Sequence, residues 1–150
     1  SLTHGYGLTA GETFPEQLEA ALRAEGLNVT VINAGNSGET SAGGRARLDW
    51  ALADKPDAVI LELGANDGLR GLDPAATYEN LDAMLQRLTQ EGLPVLLAIN
   101  VPSSASSNPS AAGGAVLVGL LLPHVSRMLD ARGLAQREET ARRTETAERP

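Results

Sequence analysis

Three short clusters of small polar residues hold the side chains with which this chain could do chemistry: Ser1 with Thr3, then Asn36 to Thr40, then Asn66 with Asp67. A hydroxyl, loop backbone N–H groups and a carboxamide together suit acyl transfer, in which a serine oxygen attacks a carbonyl and N–H donors receive the oxyanion. Taken singly, each residue has an ordinary reading. A serine in a glycine-rich loop is usually a turn residue, Gly38 a loop glycine kept for its dihedrals, and an asparagine after a strand a turn former. The order of the clusters, and the elements that would carry them, give the pattern its weight.

The element that must position the third cluster is Ala58 to Leu63, apolar on both faces except for Glu62, the pattern of a central parallel strand covered by helices. It stops at Gly64 to Gly68, a small polar turn at the carboxyl end of the strand, where open α/β sheets place their ligands. A buried strand of this kind would deliver the Asn66 amide and the Asp67 carboxylate to a rigid rim. Upstream, SLTHGYGLTAG reads as a loop, and Thr13 with Glu16 three residues later is a capping box. Phe14, Leu18, Ala21 and Leu22 share one face of the helix that follows, which Gly26 closes. Val29 to Ile32 is expected as a strand and Asn33 to Gly44 as a loop, followed by a helix through Leu48, Trp50 and Leu52. Asp73 and Pro74 open a long helix whose buried stripe is Leu81, Met84, Leu85 and Leu88. Pro94 to Ile99 is a third strand, Asn100 to Asn108 a polar loop, and Pro109 to Leu129 a last helix bent at Pro123. The alternation of strand and helix argues for right-handed crossovers and a parallel α/β sandwich, with all three polar clusters on one rim.

Composition narrows the functions that this framework could serve. The chain has 150 residues, 42% of them hydrophobic and 21% charged, which suits one globular domain with a real core. Its formal charge of -7, from 19 acidic and 12 basic residues, repels phosphate backbones, so nucleic acid is not an expected partner. The absence of cysteine removes disulfides, thiolate metal sites and thiol catalysis together. Ala115 to Leu122, the longest apolar run, is far short of the ~20 residues of a membrane span and reads as a core helix face. From Arg132 the chain has mixed charge and no apolar period, the pattern of a frayed tail. NAGNSGETSAGG lacks both a P-loop lysine and a G-x-G-x-x-G run, which argues against nucleotide binding.

SLTHGYGL, INAGNSGETSAGG and LELGANDGLRG resemble the first three blocks of the SGNH (GDSL) hydrolases, nearest to the bacterial esterase, arylesterase, acyl-CoA thioesterase I and lysophospholipase branch. The resemblance runs to about Ile99 and resumes at NPSAAGGAVLV. It implies a three-layer α/β/α sandwich with a parallel, flavodoxin-like sheet over residues 1–130, and a charged tail over 131–150. It also implies that Ser1 is the nucleophile and lends its N–H to the oxyanion, that Gly38 gives a second backbone N–H, and that Asn66 gives the side-chain amide. No cofactor and no metal belong to such a site. The resemblance further implies a small acyl ester or thioester as substrate and a soluble, periplasmic or secreted location.

Two features depart from the family pattern. Its fourth block is D-x-x-H-P, whereas this chain reads Ala105, Ser106, Ser107, Asn108, Pro109, so an alanine stands at the acid and an amide at the base. A helix and a strand are missing between Ile99 and Asn108, and the family's first strand, which precedes the nucleophile, is absent before Ser1. The expectation is an incomplete sheet and an impaired hydrolase. His4 and His124 are the two histidines that could replace the base; the first reads rather as an exposed loop residue and the second as a helix-surface residue. The competing functions are a non-catalytic relative that keeps the pocket as an acyl-binding site, and a truncated product.

Overall fold

The computed structural model describes residues 3–98 and 122–130, together with the backbone of 136–137. These fall into two compact units, one of residues 34–98 and one of residues 3–33, 122–130 and 136–137.

In the second of these, α1 spans Phe14–Ala24 because both ends of the helix are specified locally. Thr13 Oγ1 accepts from the Glu16 N–H at 3.4 Å, and the Glu16 carboxylate accepts from the Thr13 N–H at 3.2 Å, so two N–H groups without helical partners are satisfied reciprocally. Pro15 falls in the first turn, where a missing N–H costs nothing. Phe14, Leu18 and Leu22, four residues apart, form the buried stripe, and Gly26 ends the helix at φ 81°. The chain then enters β1, Leu27–Asn28, which pairs antiparallel with β4, Gln136–Arg137. Those two residues lie inside the span expected as a tail.

The strand expected at Val29 to Ile32 does not form. The N–H of Val31 donates to the Glu19 carboxylate at 2.6 Å, and the carbonyl of Val29 accepts from Arg23 Nε at 3.1 Å. Side chains of α1 thus take backbone groups that a sheet ladder would need, and Ile32 is left 51% exposed. Residues 122–130 form a helix, named α6 below, with Val125 and Leu129 buried and Pro123 near the start of its described part. Ser126 hydrogen-bonds the Glu25 carboxylate at the end of α1. The rest of the expected last helix, and the apolar run as far as residue 121, lie outside the described residues.

The unit of residues 34–98 carries the parallel sheet. After a loop come α2, Ser41–Ala46, then α3, Leu48–Ala51, and a single 3₁₀ turn, Leu52–Asp54. The expected loop through Gly44 is therefore too long. Thr40 caps α2 by accepting from the Gly43 N–H at 3.3 Å, and the helix runs through the Gly43–Gly44 pair. A Cβ on Gly44 would lie 2.4 Å from Leu63 Cδ1, so the absence of a side chain lets the helix backbone approach the strand end. β2, Val59–Glu62, and β3, Val95–Ala98, pair in parallel with Val59 opposite Val95 and Glu62 opposite Ala98. Between them run α4, Ala65–Leu69, and α5, Pro74–Gln90, a crossover of the βαβ kind. Asp73 caps α5 through the Ala75 N–H at 2.9 Å, as the sequence predicts. Met84 and Leu88 are buried on α5, with Leu81 and Leu85 half-buried beside them. On β2 Leu61 is buried whereas Val59, Ile60 and Glu62 are half-buried, so its faces are less covered than its composition implies. Ile99, the expected end of β3, lies outside the described residues. Among the described residues no helix is long and apolar enough to cross a membrane.

Candidate active site

The site is assembled where β2 ends. Gly64 turns the chain at φ 103°, and α4 begins at once, which places Asn66 and Asp67 in its first turn. Asn66 Nδ2 donates to the carbonyl of Glu39 at 2.8 Å. That bond reaches across 27 residues and brings the third polar cluster against the second, next to Gly38. A carboxamide nitrogen carries two hydrogens, so one N–H anchors the side chain and the second remains a donor for another acceptor. Gly38 itself has φ 74°, in the region where an L side chain is strained, and its carbonyl accepts from Arg70 at 2.8 Å.

The loop before α2 is tied down at further points. Arg47 holds the Glu39 carboxylate in a fork, Nε to Oε1 at 2.6 Å and a terminal nitrogen to Oε2 at 2.5 Å, and also donates to the carbonyl of Ala34 at 2.7 Å. This two-point geometry is the strong form of an arginine–carboxylate pair. Hydrogen bonding from Arg47 holds the Glu39 carboxyl below the usual carboxylate range, and the same bond raises Arg47. Both groups are charged at neutral pH.

Asp67 is placed differently from its expected position on the rim. It is 3% exposed, beneath the surface, where its Oδ2 accepts from the Ser41 N–H at 2.8 Å and its Oδ1 from Ser41 Oγ at 2.5 Å and Thr77 Oγ1 at 3.2 Å. Burial pushes its carboxyl up, but the bonds from Ser41 and Thr77 outweigh burial and hold it below the ordinary value. Among the described residues no buried side-chain nitrogen or oxygen lacks a partner.

Of the predicted site residues, Gly38 and Asn66 are thus brought together through Glu39, and Ser1 lies outside the described residues, as do Ala105 and Asn108. Thr3 belongs to the other compact unit, where its carbonyl accepts from Asn33 Nδ2 at 2.8 Å. His4 is exposed in a run of turns and His124 is exposed on α6, as the sequence predicts for each. Nothing in the sequence marks Arg47 and Arg70 as tethers. Both follow the last residue of a short helix, and the carbonyls they reach lie 13 and 32 residues away.

Residues 1–146 match the GDSL-like Lipase/Acylhydrolase family. The chain is 46% identical over 98 residues to the esterase TesA of Pseudomonas aeruginosa, a match covering 65% of this chain and 49% of that protein. It spans about half the length of that relative. Among solved structures, a crystal structure of TesA superposes with a TM-score of 0.76 at 30% identity, covering 86% of this chain and 96% of the other. AlinE4, an SGNH-hydrolase family esterase, gives a TM-score of 0.65 at 33% identity, covering 86% and 92%. The fold class read from the sequence, α/β of the SGNH-hydrolase type, stands on these likenesses and on the parallel pairing of β2 with β3.

Proposed function

The chain belongs to the GDSL-like lipase/acylhydrolase family, and on that premise we propose that it acts on small acyl esters or thioesters as a serine hydrolase with Ser1, Gly38 and Asn66 as its working residues. The observation that carries this reading is the bond from Asn66 Nδ2 to the Glu39 carbonyl. It sets a carboxamide beside the glycine that is to lend its N–H, at the carboxyl end of a parallel strand.

In the proposed reaction Ser1 Oγ attacks the acyl carbonyl carbon, its proton passes to solvent water, and negative charge moves onto the carbonyl oxygen. The N–H groups of Ser1, Gly38 and Asn66 receive that charge. Such donors work because they are already oriented and bind the oxyanion more strongly than the neutral carbonyl. Collapse expels the alkoxide or thiolate, which takes up a proton, and water then releases the acyl group from Ser1. The motif position that supplies the base holds Asn108, and an amide accepts no proton near neutral pH. The proposed activity is accordingly weak, resting on the oxyanion donors and on binding.

The test is hydrolysis of a p-nitrophenyl ester by the parent, Ser1→Ala and Asn66→Ala. Loss of one donor is expected to lower turnover on the order of 10²-fold or more. Turnover that survives Ser1→Ala would show that another group is the nucleophile. Ester binding without any turnover in the parent would favour the acyl-binding relative instead.

A further inference from the structure

Asp67 is not among the proposed reacting groups, yet its carboxylate accepts three side-chain and main-chain hydrogen bonds. Its donors come from two other elements: Ser41 in the first turn of α2, through both N–H and Oγ, and Thr77 near the start of α5. A second layer closes over them. Asn80 Nδ2 donates to Ser41 Oγ at 3.2 Å, and Arg45 donates to Asn80 Oδ1 at 3.2 Å. One carboxylate therefore joins α2, α4 and α5.

A buried ion is a poor way to gain stability, because desolvation offsets much of what its bonds return and an apolar side chain would fill the same space. What an ion with three directed donors does supply is fixed geometry. The bond from the Ser41 N–H to Asp67 and the bond from Asn66 to the Glu39 carbonyl cross between the same two segments, residues 39–41 and residues 66–67. One such link would leave a hinge. Two, offset by two residues on one side and by one on the other, fix the angle as well as the distance. Gly38 is three residues from Ser41 along a loop whose other end Arg47 holds at Ala34.

We infer that Asp67 is a positioning residue, which sets the Asn66 amide and the Gly38 loop at the spacing needed to receive one oxygen atom. This rests on the reading of Gly38 and Asn66 as oxyanion donors. A misplacement of about 1 Å can cost on the order of 10² in rate, so a residue that touches no substrate is able to matter at that scale.

The test uses the full chain and four variants: Asp67→Asn, Ser41→Ala, Asn66→Ala and the Asp67→Asn, Asn66→Ala double. Two readouts are taken, kcat and KM on p-nitrophenyl acetate, and the ¹H–¹⁵N resonances of the Gly38 N–H and the Asn66 side-chain amide. Asp67→Asn is expected to lower kcat on the order of 10²-fold with KM little changed, and to displace both resonances. Ser41→Ala, which keeps the backbone bond to Asp67, should fall between it and the parent. In the Asn66→Ala background, Asp67→Asn should add little, because the two act through one geometry. Folded Asp67→Asn with both resonances in place and kcat intact overturns the inference, as do losses that simply multiply in the double variant. If Asp67→Asn does not fold, Ser41→Ala and Thr77→Val carry the same comparison, and unmoved resonances in both overturn it. A parent whose turnover is absent, or is unchanged by Asn66→Ala, instead defeats the hydrolase reading, while the resonances still decide whether Asp67 positions these groups.

Discussion

At the scale of single residues, the chemistry-bearing groups are held by hydrogen bonds that reach across the chain. Asn66 is fixed by one of its own two N–H groups, and Gly38 by a guanidinium on its carbonyl. Asp67 makes a measurable pH dependence. Its carboxyl is held below the ordinary value in the folded chain, so between the two values the unfolded chain binds more protons. The stability that Asp67 contributes is therefore present above the ordinary carboxylate pKa of about 3.9 and is lost as pH falls through the lowered folded value. Glu39, lowered by Arg47, acts in the same direction. We predict that the urea midpoint of the parent falls as pH is taken from about 5 to about 3, and that Asp67→Asn flattens that slope while costing about 1–3 kcal/mol at neutral pH. An equal slope in both proteins would remove Asp67 from the account. The three polar clusters were legible in the sequence because residue type and order suffice to mark them. The burial of Asp67 was not, since it depends on Ser41, 26 residues earlier, whose hydroxyl is indistinguishable in sequence from those of Ser37 and Thr40.

At the scale of elements, the locally specified pieces were the legible ones. α1 begins at its capping box and α5 at Asp73–Pro74, and β2 and β3 lie within the apolar runs that predict them. What escaped was decided by partners distant in sequence or by space. Val29 to Ile32 has β-branched residues but loses backbone groups to Glu19 and Arg23, and α2 begins inside a glycine-rich stretch that propensity alone would leave as loop. A matched pair of substitutions tests the spatial reason. Gly68→Ala on α4 meets nothing within 4 Å and should stabilise by about 0.4–1 kcal/mol through the unfolded state. Gly44→Ala gains a similar helical preference, about 1 kcal/mol, but drives its Cβ to 2.4 Å from Leu63 Cδ1. Overpacking of that kind costs about 1–3 kcal/mol, so the balance is expected to be a net loss. Thermal unfolding of the two variants beside the parent checks both signs, and a stabilised Gly44→Ala would mean that Leu63 swings aside freely.

At the scale of the whole molecule, family membership and active-site completeness are separate properties. Residues 1–146 match the family, while the positions that should hold an acid and a base read Ala105 and Asn108. We predict that Ala105→Asp with Asn108→His raises ester turnover on the order of 10²-fold or more, and that Ser1→Ala abolishes the gain. A folded double variant with unchanged turnover would show that the short Ser-rich segment cannot aim the imidazole. The loop that precedes α2 has a last consequence, in how the protein should respond to denaturants. Its anchors at Ala34, Gly38 and Glu39 include guanidinium groups, those of Arg47 and Arg70. Guanidinium chloride offers a free copy of that ligand, with a charge that screens the Arg47–Glu39 pair, whereas urea offers neither. Any ester turnover should accordingly fade in guanidinium well before the helical signal does, yet fade together with it in urea, and sodium chloride at the same ionic strength should reproduce only part of the difference.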